Sequence, residues 1–121
     1  MNILLIAIGG AIGSVARYLF STFVLRATGS LFPIGTFAVN IIGCFVFGLI
    51  AGAAEQRVAL PPQMRAFALV GVLGGFTTFS SYAYESYSLI RDGQFLWASI
   101  NLAGQVVIGV AGLAAGFAMM R

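Results

Sequence analysis

Long apolar stretches separated by short polar connectors dominate the hydrophobic pattern of this chain. Four stretches, at about 2–25, 34–54, 64–90 and 95–120, each reach the roughly 20 residues that an α-helix needs to cross a bilayer. The connectors between them are too short to hold a soluble domain. We therefore predict an all-α integral membrane protein in which residues 1–121 form a single domain of four transmembrane helices.

The third stretch differs from the others because its middle, residues 71–82, is rich in glycine and hydroxyl side chains. Both disfavour a regular helix interior, and lipid tolerates freed backbone groups only where protein or a polar cavity takes them up. We therefore predict that this third helix is broken at mid-membrane. Broken helices near the bilayer midplane recur at ion sites, so the break is expected to offer carbonyls to a cation and donors to a solute.

Composition agrees with a membrane protein and argues against several classes of function. Hydrophobic residues make up 60% of the chain and charged residues 7%, and the mean hydropathy is +1.03. The arginines are scattered, so nucleic-acid binding is not expected. The chain has no histidine, metal-ligand cluster or nucleophile–base pair, so it is not expected to be an enzyme. The lone Cys44 is interpreted as a packing residue, and no signal peptide is recognised.

The arginines barely distinguish the two sides of the membrane. Arg57, Arg65 and Arg121 fall on the side of the termini, and Arg26 and Arg91 fall on the other. Orientation by the positive-inside rule needs a clear excess on one side. The near balance fits a protein that inserts in both orientations, although one extra arginine could also suffice to orient it.

Pairs of glycines four residues apart indicate closely packed helices. The pairs are Gly9/Gly13, Gly48/Gly52, Gly71/Gly75 and Gly112/Gly116. Four helices enclose little space by themselves, so we also expect an oligomer.

Several polar residues lie inside apolar stretches, where they need a partner or a function. Arg17 favours an anion, although its long side chain could instead reach the membrane surface. Asn40 could join helices or donate its amide N–H groups to an anion. Asn101 and Gln105 form one stripe with Gly109 on the fourth helix, and such a stripe is typical of a bundle interior or a water-filled path.

Aromatic and hydroxyl residues follow the glycines of the third stretch. Phe79 and Tyr82 share a helix face, and aromatic edges attract anions without a full charge, although such a pair could also simply pack. Glu85 lies near the end of the stretch, where it could reach the surface or stand at a pore mouth. Uncharged donors can bind an ion well enough to admit it and weakly enough to release it. Further donors of this kind are Asn40, Thr78, Ser80 and Ser81.

Three glycine-rich motifs follow one another along the first three stretches. They are Gly9-Gly10-xx-Gly13-xxx-Arg17-Tyr18, Gly35-Thr36-xxx-Asn40-xx-Gly43-Cys44-Phe45-xx-Gly48, and Gly71-xx-Gly74-Gly75-x-Thr77-Thr78-Phe79-Ser80 followed by Glu85. Together they resemble the Fluc family of fluoride channels, also called CrcB. The resemblance implies a dual-topology homodimer of antiparallel subunits, surrounded by lipid in the bacterial inner membrane, with two pores and a structural sodium ion (Na⁺). It also implies passive export of fluoride.

The resemblance assigns roles to individual residues. Gly74 and Thr77 match the residues whose carbonyls hold the sodium. Asn40 matches the pore asparagine, and Phe79 matches the first phenylalanine of an aromatic box. Tyr82 stands where the family has its second phenylalanine. A two-fold axis through the break would double the few carbonyls of one chain and make a site suited to a hard cation.

Two other functions fit four short helices. A small multidrug exporter needs an intramembrane acid for proton exchange, whereas the first stretch carries Arg17 and no acid. A non-transporting assembly subunit would leave the break in the third helix and the polar stripe of the fourth without a purpose. The channel is therefore the preferred interpretation.

Overall fold

The computed structural model describes residues 2–29, 32–56 and 60–120, and these residues form helices joined by short turns. Four helical stretches are long and apolar enough to cross a membrane, so the chain is a multi-pass membrane protein. Arg57 and Arg121, which entered the comparison of charges, lie outside the described residues.

The helices follow the predicted apolar stretches closely. The third membrane-spanning stretch, Pro62–Arg91, contains two helices that are separated at residues 77 and 78. The four membrane-spanning stretches begin and end within three residues of the predicted spans. Their bounds are Asn2–Thr28 for α1, Ile34–Gln56 for α2, 62–76 for α3, Phe79–Arg91 for α4 and Phe95–Met119 for α5.

Local sequence explains where the helices end. Gly29 follows α1 with φ of +59°, and its N–H donates to the carbonyl of Leu25 at 2.8 Å. Gly93 follows α4 with φ of +77°, and its N–H donates to the carbonyl of Ile90 at 3.0 Å. Only glycine adopts this left-handed backbone without strain, so both positions close a helix. Pro62 opens α3, where a missing N–H costs nothing.

Glycines let α1 and α3 approach until their backbones touch. A Cβ atom on Gly9 would lie 2.7 Å from the carbonyl oxygen of Phe67, and one on Gly75 would lie 2.6 Å from that of Gly10. Gly13 similarly faces the carbonyl of Val72. Larger side chains at these glycines would force the two helices apart.

The second close pair is α2 and α5, which run parallel. Gly48 lies against the carbonyl of Leu113, and a Cβ atom on Gly52 would lie 2.7 Å from the carbonyl oxygen of Phe117. Each step of four residues along α2 therefore matches a step of four along α5. This register brings the polar residues of both helices to the same level.

Part of α3 is wound more loosely than an α-helix. Pro62–Arg65 and Gly74–Phe76 are α-helical, whereas Ala66–Leu73 between them has π-helical hydrogen bonding. Such wide turns are rare and are frequently found at functional sites. No feature of the sequence predicted this segment.

Helical geometry stops between α3 and α4. Thr77 has φ of −87° and ψ of 159°, and Thr78 has φ of −149° and ψ of 125°, so both residues are extended. The Thr78 hydroxyl then accepts a hydrogen bond from the N–H of Ser81 at 3.2 Å and caps α4. The backbone of two consecutive residues thus leaves the helical pattern within an otherwise continuous apolar span.

Burial follows the pattern of a protein surrounded by lipid. Large apolar side chains cover most of the outside of the bundle, and few large side chains are buried. The inside contains several polar groups. The buried polar side chains are Thr36, Ser86, Asn101 and Gln105.

Candidate functional site

Asn40 on α2 binds the extended segment that separates α3 from α4. Its Oδ1 accepts a hydrogen bond from the N–H of Thr78 at 2.9 Å, and its Nδ2 donates to the carbonyl of the same residue at 3.0 Å. One side chain therefore satisfies both backbone groups of an extended residue, as a neighbouring strand would. This contact joins α2 to the point where the third span leaves the helical pattern.

A series of side-chain hydrogen bonds continues from Asn40 into α5. Asn40 Nδ2 also donates to Gln105 Oε1 at 2.7 Å, and Gln105 Nε2 donates to Asn101 Oδ1 at 2.8 Å. Asn101 Nδ2 then donates to the hydroxyl of Ser86 on α4 at 2.8 Å. Asn101, Ser86 and Gln105 are only 0%, 2% and 7% exposed. Buried amides of this kind are costly unless they are paired, and these are paired in one continuous series.

Two backbone carbonyls lose their helical donors at the same place. In an uninterrupted helix the N–H of Thr78 would donate to the carbonyl of Gly74, but it donates to Asn40 instead. The N–H of Ser81 would donate to the carbonyl of Thr77, but it donates to the hydroxyl of Thr78. The carbonyls of Gly74 and Thr77 are thereby released from the helical pattern.

The aromatic residues after the interruption differ in exposure and in hydrogen bonding. The rings of Phe79 and Tyr82 have centroids 5.7 Å apart and planes inclined by 57°. The Phe79 side chain is 77% exposed in the single chain, whereas Tyr82 is 8% exposed. The Tyr82 hydroxyl donates to the carbonyl of Leu102 on α5 at 2.6 Å, so its only proton is used inside the protein. Tyr82 therefore holds its ring in place through α5, while no such bond restrains Phe79.

A cavity of about 400 Å³ lies beside these groups. Apolar side chains form most of its wall, and the polar groups cluster at the interruption of the third span. The amide, hydroxyl and aromatic side chains that line it are those of Asn40, Phe47, Thr77, Thr78, Phe79, Tyr82 and Gln105. Cavities of this size, apolar with a few convergent polar groups, are typical of sites for small solutes.

Other predicted residues lie away from this cavity. Arg17 follows Gly13 by one turn on α1 and is half-buried. Ser80 is exposed, and its hydroxyl lies 3.4 Å from that of Thr78. Ser81 contributes its backbone N–H to the cap of α4. The cavity therefore gathers only part of the predicted set.

Glu85 pairs with a residue to which the sequence analysis assigned no role. Its Oε2 accepts a hydrogen bond from the hydroxyl of Thr36, near the start of α2, at 3.1 Å. Its Oε1 is inaccessible and receives no hydrogen bond from the described part of the chain. Thr36 and Ser86 are both partners of predicted residues. Thr36 and Glu85 are 49 positions apart in the chain, so the sequence gives no sign of their pairing.

These features define a small multi-pass membrane protein with a polar-edged cavity at an interruption of its third span. The profile of the family described as "CrcB-like protein, Camphor Resistance (CrcB)" matches residues 4–117. The chain belongs to this family, which confirms the resemblance drawn from the motifs.

Relatives match over nearly the whole chain. A protein of Maridesulfovibrio salexigens named "Fluoride-specific ion channel FluC" is 49% identical over 118 residues, which cover 98% of this chain and 94% of the relative. Proteins of the same name from Geobacter sulfurreducens and Chlorobium phaeobacteroides are 44% and 48% identical, and the matches cover 99% and 93% of this chain and 97% and 87% of the relatives. These relatives are named as channels, so the prediction that the chain is not an enzyme is confirmed.

Proposed function

We propose that this protein is a fluoride-selective channel that lets fluoride leave a bacterial cell passively across the inner membrane. The observation that carries the proposal is near full-length identity of 49% to a protein named as a fluoride-specific channel. The chemistry of the cavity supports it. Fluoride is small and strongly hydrated, so a pore must replace lost water with hydrogen-bond donors. Uncharged donors and aromatic edges can do so without trapping the ion.

The ion pathway in this proposal passes the interruption of the third span, which we place at mid-membrane. Asn40 and Thr78 offer polar groups at the cavity, and the exposed ring of Phe79 offers an aromatic edge. Arg17 and Glu85 lie outside the cavity, so we assign them to the approaches to the pathway. Asn101 and Gln105 support Asn40 from α5.

We further propose that the carbonyls of Gly74 and Thr77 hold a structural sodium ion. Both carbonyls have lost their helical N–H donors, and carbonyl oxygens are ligands that hard cations prefer. A bound sodium would neutralise the negative ends of these carbonyl dipoles. Gly74 and Thr77 of one chain supply two such oxygens, so a second copy is needed to complete the site.

The surroundings of Gly74 support a second chain at this site, and we propose that the two chains form an antiparallel, dual-topology dimer. Gly74 is exposed and has helical dihedral angles, φ −62° and ψ −37°. A Cβ atom on it would meet only the carbonyl oxygen of Leu69, at 3.7 Å, so its own chain does not require glycine. Glycine costs a helix about 1 kcal/mol relative to alanine, and that cost has a reason if a second chain packs against this face.

The test of the function is fluoride efflux from liposomes that contain the purified protein. An electrode records release down the gradient, and a potassium ionophore balances the charge. We expect rapid loss of fluoride and retention of chloride. Vesicles that retain fluoride, or that release chloride equally fast, would contradict the proposal. For the dimer, a C-terminal tag should be accessible from both sides of the membrane, and labelling from one side only would contradict dual topology.

A further inference from the structure

The carboxamide of Asn40 has no N–H group left for a solute. One hydrogen of Nδ2 is directed to the carbonyl of Thr78 at 3.0 Å, and the other is directed to Gln105 Oε1 at 2.7 Å. A primary amide has only these two donors. An anion that reaches Asn40 must therefore displace one of the two acceptors.

The backbone of Thr78 determines which way every amide in the series points. Its N–H needs an acceptor, so Asn40 must present Oδ1 to it and Nδ2 to its other neighbours. Gln105 must then present Oε1 to Asn40 and Nε2 to Asn101. A rotated Gln105 amide would place two N–H groups against each other. Gln105 is thus held with its oxygen at Asn40.

Gln105 is the easier of the two acceptors to displace. Thr78 and Asn40 share two hydrogen bonds, and the Thr78 groups in both bonds belong to the backbone. Gln105 shares only one with Asn40, through a flexible side chain. Both Asn40 and Gln105 line the cavity, so a solute there can approach the bond between them.

We propose that Gln105 competes with the permeating anion for the Asn40 N–H, and that this competition excludes anions that accept hydrogen bonds weakly. The inference rests on the proposed fluoride channel. The exchange leaves Gln105 Oε1 without its donor, which is costly for a buried group. Fluoride accepts hydrogen bonds more strongly than chloride does. Fluoride therefore occupies the site despite this cost, whereas chloride does not.

Removal of the competitor should affect the two halides differently. Fluoride already occupies the site, so a free Asn40 N–H adds little to its entry and slows its release. Chloride is kept out by the cost of exchange, so a free N–H raises its occupancy. The ratio of the fluoride to the chloride release rate should therefore fall. A change in fluoride release alone would not show that selectivity has changed.

The experiment compares fluoride and chloride release from liposomes for wild type and Gln105→Leu. The matched control is Gln63→Leu, because Gln63 is exposed near the start of α3 and does not line the cavity. Gln105→Leu should lower the fluoride-to-chloride ratio roughly tenfold, the value of one ordinary hydrogen bond. Gln63→Leu should leave it unchanged. Gln105→Met, which keeps an unbranched chain without an amide, serves if the leucine variant does not fold.

A second measurement needs no variant. In nitrogen-15-labelled wild type, fluoride should shift the side-chain amide resonance of Asn40, and chloride at the same concentration should not. Equal shifts with both halides, or none with either, would overturn the inference. A folded Gln105 variant with the wild-type ratio of fluoride to chloride release would also overturn the inference, although the proposed fluoride conduction would stand. Wild-type vesicles that retain fluoride would overturn the proposed function and this inference together.

Discussion

Replacement of Asn40 by aspartate tests the contact between α2 and the interrupted third span. In the wild type, Nδ2 of Asn40 donates to the carbonyl of Thr78 at 3.0 Å and to Gln105 Oε1 at 2.7 Å. Asn40→Asp replaces this nitrogen with an oxygen of similar size. Two favourable contacts become contacts between acceptors, while the bond from the Thr78 N–H is kept.

The magnitude follows from these two bonds. Each hydrogen bond contributes about 0.5–1.5 kcal/mol to the free energy of unfolding. An ionised carboxylate whose second oxygen faces only the Thr78 carbonyl and Gln105 Oε1 costs about 3–5 kcal/mol in such surroundings. We therefore expect Asn40→Asp to lower the free energy of unfolding by about 3 kcal/mol or more. Fluoride release should fall to the rate of protein-free vesicles, because both donors are lost and the new charge repels anions.

Two measurements on one preparation separate stability from conduction. Thermal unfolding in detergent reports the loss of stability, and electrode-recorded efflux from liposomes reports the loss of conduction. The control is Asn2→Asp, an identical change at the exposed first residue of α1, where a negative charge favours the helix. That variant should match the wild type in both assays. An Asn40→Asp protein with wild-type stability and wild-type efflux would refute the argument.

Three further changes probe neighbouring groups. Phe79→Ile should reduce fluoride release strongly because the aromatic edge is lost, and it should change the unfolding temperature little because the side chain is 77% exposed in the single chain. Unchanged release would contradict a pathway along this ring. Tyr82→Phe removes the bond to the carbonyl of Leu102 and should cost about 1 kcal/mol in the free energy of unfolding while release continues; loss of release would show that the hydroxyl takes part in conduction. Gly74→Val should weaken dimerisation and abolish sodium-dependent thermal stabilisation. Thr77→Ser should retain both properties, because it keeps the backbone carbonyl. A sodium response in both variants, or in neither, would count against the site.

The apolar pattern of the sequence determined the membrane-spanning helices. A run of about 20 apolar residues has one stable arrangement in lipid, because a helix satisfies its backbone hydrogen bonds within the run itself. Gly29 and Gly93 likewise predict helix ends from local chemistry, since they supply the left-handed backbone that closes α1 and α4. These features depend on neighbours in the chain, so the sequence is sufficient to find them.

Only the tertiary structure decided which polar groups meet. Asn40 binds Thr78 across 38 residues and Gln105 across 65, and no local pattern encodes such pairs. The sequence showed that Asn40 could donate to an anion or join helices. The parallel packing of α2 on α5 and the extended backbone of Thr78 direct both of its N–H groups to acceptors within the protein. Residue type alone determines which groups Asn40 can donate. Because hydrogen bonds are short and directional, the fold determines which acceptor receives each of them.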